Sequence, residues 1–157
     1  MFVVKIDSNE IERRIERFKS TAREAGIKLT QQRLEIFREV ASRADHPDAE
    51  TIFHAVHDRI PSVSLDTVYR TLWLLYDLNL IATYGQLRET VHFDPNPAPH
   101  HHYICVRCGI IRDLRASEFD EFPLQSAGEF GSVLAFRVEL SGLCEGCSRG
   151  SRGLQAD

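Results

Sequence analysis

The chain contains no run of about 18 uninterrupted apolar residues, so no transmembrane helix is expected. The N-terminal stretch Met1–Arg14 has a short apolar run but no long hydrophobic region and no small-residue cleavage site. A secretory signal is therefore not expected, and the expected location is the cytoplasm. Cysteine is scarce, with four in 157 residues. In a reducing compartment such cysteines more often bind metal than form disulfides. There is no internal repeat. An excess of positive charge is missing too: the formal net charge is −4, so the total does not advertise a nucleic-acid partner. What is present is an ordinary apolar fraction, 43 %, and a length that suits one medium domain or two small ones.

Charge is unevenly spread. Arg13, Arg14, Arg17, Lys19, Arg23, Lys28, Arg33, Arg38 and Arg43 face only Glu16, Glu24, Glu35 and Glu39 over the same stretch. Such a segment can create local positive potential, or it can be a set of solvated helix faces with i,i+4 pairs.

The first half has helical periodicity. Ile11, Ile15, Phe18 and Ala22 form one stripe, stopped by Gly26. Thr30 suits an N-cap for a helix burying Leu34, Phe37 and Val40. Pro47 suits the first turn of a third helix, with stripe Ile52, Phe53, Val56 and Ile60, ended by Pro61. Ser64 caps a fourth, with Leu65, Val68, Leu72 and Leu75 inward and Tyr69, Arg70 and Trp73 on other faces. The pattern then changes to a β-hairpin, Leu80–Tyr84 and Glu89–Phe93, around a Gly85 turn. Helices closed by a hairpin suggest a winged helix-turn-helix whose fourth helix reads the major groove. A small bundle with no DNA role is the competing reading.

The proline-rich segment 94–99 marks a hinge. The expected organisation is α+β. A winged-helix DNA-binding domain spans 1–84, its wing running to about 93, and a metal-binding dimerisation domain spans 100–148. The Gly/Ser/Arg-rich tail, 149–157, is expected to be disordered. Strands are expected at His102–Val106, Ile110–Leu114 and Val133–Leu140, with a short helix over Ser117–Ser126.

All four cysteines fall in two pairs, Cys105-Val-Arg-Cys108 and Cys144-Glu-Gly-Cys147. Two intervening residues let both thiolates of a pair turn toward one ion, and two pairs complete a tetrahedral, closed, structural Zn2+ site. The long separation makes the zinc a staple between distant segments. Two redox CxxC pairs are the alternative.

A second constellation is rich in imidazole. His100-His101-His102 leads into the strand carrying Cys105, and alternation puts His100 and His102 on one face with His101 pointing away. Asp94 lies upstream, Asp113 on the following strand, and His46 at the start of the third helix. Imidazoles mixed with carboxylates suit Fe2+, Mn2+, Zn2+ or Ni2+ better than Ca2+ or Mg2+. A solvated histidine loop is the competing reading, and His54, His57 and His92 are expected to be surface or packing residues.

Several segments together resemble the ferric uptake regulator family: Leu29-Thr30-Gln31-Gln32-Arg33, His46-Pro47-Asp48-Ala49-Glu50, Ser64 to Leu72, and His100 through Cys108-Gly109. They occur in family order. The resemblance implies a homodimer that binds a palindromic, double-stranded operator when metal-loaded. It implies His46, Asp94, His100, His102 and Asp113 as regulatory ligands for Fe2+ or Mn2+, and Cys105, Cys108, Cys144 and Cys147 as structural zinc ligands. Aspartate at both carboxylate positions looks like the peroxide-responsive branch, in which His46 and His100 are the oxidation-sensitive residues. DNA contacts are expected from Tyr69 and Arg70, supported by Ser64 and Thr67. Three features depart from the family's common pattern: the last strand carries no histidine for a further metal site, His101 replaces what is often another residue, and Trp73 stands where a polar residue is common. An iron-responsive regulator is the nearest alternative, and a metal-dependent hydrolase or a zinc interaction module is more distant. Neither a membrane nor a small organic substrate is expected as a partner.

Overall fold

The structure is a computed structural model describing residues 6–84, 90–96, 98, 100–114, 117, 119, 131–132 and 136–150. The chain divides into two units, Met1–Pro97 and Ala98–Asp157.

The first unit contains helices α1 (Ser8–Glu24), α2 (Gln31–Ala41), α3 (Ala49–His57) and α4 (Leu65–Asp77), then strands β1 (Ala82–Tyr84) and β2 (His92–Asp94). The apolar stripes meet in one core built on Ile15, Phe18, Ile36, Phe37, Val40, Ile52, Val56, Val68, Leu72, Leu75 and Phe93. Phe18 and Phe37 stack at 4.9 Å between ring centroids, joining α1 to α2. Ile36 is fully buried although the α2 stripe predicted from sequence omits it, and Leu34 is only partly buried. The reason is that α2 packs against α1, α3 and α4 and buries a broader face than one stripe.

Side-chain caps explain the helix starts. Thr30 accepts a hydrogen bond from the Arg33 amide (3.3 Å), and Ser64 accepts one from the Thr67 amide (3.2 Å). The third helix differs from the expectation. Asp48 is its N-cap, accepting from the Thr51 amide at 2.8 Å, so Pro47 lies before the helix and not in its first turn. The helix ends at His57, ahead of Pro61. The expected basic stretch is partly neutralised: Arg14 pairs with Glu10, Arg38 with Glu12, and Arg43 with Glu39 and Asp45. Strands β1 and β2 pair antiparallel with Ala82 opposite Asp94, so Asp94 belongs to the sheet as well as opening the proline-rich segment. The Gly85 turn lies outside the described residues.

The second unit holds a three-stranded sheet in the order β4 (Ile111–Leu114), β3 (His101–Cys105), β5 (Glu139–Gly142). β3 pairs antiparallel with β4 and parallel with β5. The last strand begins later than the alternating pattern indicated. Residues 136–138 are not strand because the Val138 amide donates to His101 Nδ1 (3.1 Å), a side-chain acceptor where a ladder partner would stand. Residues 133–135 and most of the Ser117–Ser126 segment lie outside the described residues. At the start of the tail α5 (Glu145–Gly150) carries helix past Ser148, with an Arg149–Glu145 ion pair, while residues 151–157 lie outside the described residues. Among the described residues no helix is long and apolar enough to cross a membrane.

Candidate metal centres

The four cysteine sulfurs lie within 4.8 Å of one another, and none of the four is in a disulfide. Cys108 and Cys144 sulfurs are 3.8 Å apart. That is far beyond a disulfide, near 2.05 Å. It equals the spacing of about 3.8 Å that follows from four sulfurs placed tetrahedrally about 2.3 Å from a zinc ion. Strand pairing brings the cysteines together: Cys105 ends β3 beside Gly142 of β5, and Cys144 follows two residues later. A tight turn, with Gly109 at φ 73° donating its amide to the Cys105 carbonyl (2.9 Å), folds Cys108 back. The Cys105 thiol is lowered to about 6, first by the Cys144 amide donating to its sulfur (3.3 Å) and then by the Cys108 amide. Cys147 is raised to about 12 by hydrogen bonds with Cys144 and Cys108. A thiol already biased toward thiolate fits a cation-binding cluster.

The helical unit holds two residues of the histidine–aspartate set. His46 has a left-handed backbone, φ 51°, which is rare outside glycine, and it precedes a proline. Strand β2 fixes this bend: the His92 ring donates from Nδ1 to the His46 carbonyl (2.7 Å), and the Phe93 amide donates to the Pro47 carbonyl (2.9 Å). The buried His46 ring then presents Nε2 to Asp94 Oδ2 at 3.6 Å. Asp94 is oriented by its other oxygen, Oδ1, which accepts from the Asn96 amide at 2.7 Å. Sequence reasoning missed His92, which was expected to be a surface or packing residue. No local pattern signals it, because it stands 46 residues beyond His46 in the chain.

The sheet unit holds the other three. His102 stands opposite Asp113 in the β3–β4 register, with Nε2 3.5 Å from Asp113 Oδ1. His100 Nε2 lies 3.6 Å from the same oxygen, and the two imidazoles are 4.5 Å apart between centroids. His100 donates from Nδ1 to the Ala98 carbonyl (2.7 Å), which leaves the lone pair on Nε2. His101 points the other way, packed between Phe119 and Phe136, at 4.8 and 5.1 Å, and its Nδ1 accepts from Val138.

In both units imidazole and carboxylate approach at 3.5–3.6 Å, too long for a direct hydrogen bond. Two donors about 2.1 Å from a shared divalent ion stand about 3.0–3.5 Å apart, so closure by a few tenths of an ångström suffices. Nitrogen and oxygen donors, buried for His46, Asp94, His100 and His102, fit a first-row transition metal.

The proposed DNA-contacting residues lie at the start of α4. Ser64 and Thr67 are engaged with each other as the cap, their hydroxyls 2.9 Å apart. Tyr69 is exposed, and Arg70, 79 % exposed at its side chain, pairs with Asp66 at 2.5 Å.

The Ferric uptake regulator family model matches residues 24–138. The chain belongs to that family. Like other ferric uptake regulator family members it is a transcriptional regulator and not an enzyme, a metal-responsive repressor. It is 33 % identical over 141 residues to the peroxide-responsive repressor PerR of Staphylococcus epidermidis, covering 87 % of this chain and 92 % of that one. Its fold is similar to that of the Helicobacter pylori ferric uptake regulator, described as having three functional metal-binding sites, with TM-score 0.75, 21 % identity and coverage of 94 % and 97 %. It also resembles the Campylobacter jejuni peroxide stress regulator, with TM-score 0.64, 25 % identity and coverage of 85 % and 98 %. The helical first unit and α/β second unit form the family's fold in this chain, which also carries the four-cysteine cluster.

Proposed function

We propose that this family member is a homodimeric, peroxide-responsive repressor that binds double-stranded operator DNA when its regulatory site holds Fe2+ or Mn2+. The observation that carries the reading is the pairing of buried imidazole with aspartate, His46 with Asp94 and His100 and His102 with Asp113. One ion drawing donors from both sets would join the helical unit to the sheet unit and set the angle between the reading helices of a dimer. Without it the DNA-competent fraction falls, and apparent affinity falls with it. Similarity to the Staphylococcus repressor over most of both chains supports peroxide as the signal.

Bound Fe2+ would supply the one-electron chemistry that activates peroxide. The rest is the work of this chain's residues. His46 and His100 offer imidazole carbons beside their ligating nitrogens. Oxidation places one peroxide oxygen on the ring, and the other leaves as water. An oxidised ring is a poorer donor, so the two units uncouple and α4 loses its register. On the DNA side, Tyr69 and Arg70 project from α4 toward bases or phosphates, while Ser64 and Thr67 hold its first turn in place. Cys105, Cys108, Cys144 and Cys147 would hold a redox-inert Zn2+ throughout.

The test is peptide mass analysis beside DNA binding, after peroxide treatment of iron-loaded and manganese-loaded protein. The expected result is one added oxygen on His46 or His100, with DNA binding lost in the iron form alone. Lost binding with unmodified histidines would reject the mechanism. Binding that survives peroxide and responds only to iron withdrawal would identify an iron-responsive regulator instead.

A further inference from the structure

One cavity in the helical unit belongs to neither metal centre. Its volume is about 280 Å³, and among the described residues its walls are Asp48, Glu50, Tyr69, Trp73, Thr90 and Val91. Tyr69 and Trp73 stand one turn apart on α4 and are 40 % and 43 % exposed. Trp73 is braced edge-on by Tyr76 and Phe93, at 5.7 and 6.0 Å between centroids.

The two acids bring negative charge to these rings. Asp48 is the N-cap of α3, its Oδ1 accepting from the Thr51 amide at 2.8 Å. Glu50 is exposed, and among the described residues no Lys or Arg forms an ion pair with either acid.

Carboxylates beside aromatic faces select against anions and against purely apolar ligands. Among the described residues neither imidazole nor thiolate lines the walls, and two carboxylates with one phenol make a poor donor set for a transition metal. The favoured class is an organic cation, attracted by ring quadrupoles and hydrogen-bonded by carboxylates. We propose that this cavity binds a small organic cation of the guanidinium class. A planar guanidinium can lie against a ring while its N–H groups reach carboxylate oxygens, which a compact ammonium does less well. The volume is at the lower end for ligand pockets, which limits the occupant to roughly the size of one side chain. The expectation that no small organic substrate exists is not touched by this, because the role is that of a ligand and not a substrate. Tyr69 also belongs to the proposed DNA-contacting set. Coupling between the two would rest on the DNA reading, whereas binding in the cavity does not.

The chain's single tryptophan is in this wall, so its emission gives a direct signal from the cavity. The experiment titrates the full chain, without DNA and at constant ionic strength, with ethylguanidinium and separately with its neutral analogue N-ethylurea. The expected result is a saturable change in Trp73 emission with the cation and none with the urea. Glu50→Gln, and Asp48→Asn, which keeps a capping oxygen, should each weaken binding about tenfold, the scale of one hydrogen bond to a charged group. Equal responses to both compounds, a change that never saturates, or unaltered binding in both variants would overturn the proposal.

Discussion

The His92 ring donates a 2.7 Å hydrogen bond to the main-chain carbonyl of His46, and this bond holds His46 in its left-handed conformation. A non-glycine residue at positive φ persists only where its surroundings over-determine it. Here the surroundings are strand β2, which supplies His92, the Phe93 amide and the partner carboxylate Asp94 within three consecutive residues. Ligand and brace therefore come from one short strand.

Removing the brace should cost metal affinity without touching a proposed ligand. His92→Ala is expected to weaken Mn2+ binding about 10–100-fold, the range found when groups supporting metal ligands are lost. His92→Asn, whose amide nitrogen can stand near Nδ1, should recover much of it. Competition titration with a fluorescent chelator measures both. Unchanged affinity in His92→Ala would show that the bend holds itself.

Asp94→Glu tests the peroxide reading from the carboxylate side. The aspartate is aimed by the short turn that Oδ1 makes with the Asn96 amide, and a longer side chain cannot keep that turn while reaching His46. Histidine oxidation in the iron-loaded variant is expected to slow severalfold while metal-dependent DNA binding survives. Oxidation at the parental rate would show that carboxylate length does not set the response.

The cysteine cluster predicts one tightly held zinc per chain. Cys108→Ser should abolish retention of that ion and lower the thermal midpoint, because a structural zinc contributes its binding free energy to folding. Native mass spectrometry and thermal melts read the two effects. A folded variant that keeps its zinc would remove Cys108 from the site.

Gly142 is held small by its neighbour. A β-carbon there would stand 2.6 Å from the Tyr103 hydroxyl and 3.2 Å from its ring. Gly142→Ala is expected to destabilise the protein by about 1–3 kcal/mol, the cost of overpacking. Tyr103→Phe removes the closest atom, so the double variant should be more stable than the sum of the singles. Denaturant melts give the cycle, and strict additivity would mean the ring simply swings away.

Two substitutions on α4 should separate folding from recognition. Ser64→Ala removes a cap and should cost about 1 kcal/mol of stability. Arg70→Ala breaks only an exposed i,i+4 pair, worth about 0.3–0.5 kcal/mol. It should instead weaken operator binding by about 1–3 kcal/mol if Arg70 reads a base. Arg70→Ala with unchanged DNA affinity would take that residue out of the interface.

Much was legible in the sequence because it is local. Helix stripes such as Ile15, Phe18 and Ala22, caps such as Thr30 and Ser64, and the two CxxC pairs are properties of residues a few positions apart. Backbone geometry turns such spacings into faces and turns. The pairing of His102 with Asp113 was nearly as accessible, since adjacent antiparallel strands put close sequence neighbours opposite one another.

The tertiary structure decided what depends on distant segments. It placed Gly142 beside Cys105 through a parallel pairing that no local pattern encodes. It moved the cap of α3 to Asp48, ended the His101 strand neighbourhood at a side-chain acceptor, and gave His92 its place against His46. It also gathered Asp48, Glu50, Tyr69 and Trp73 around one cavity. The sequence by itself determined which chemistries the chain carries, because donor atoms and periodicities are written residue by residue. Only the folded chain decided which of them meet, because strand register and helix packing bring together residues whose separation along the chain carries no signal.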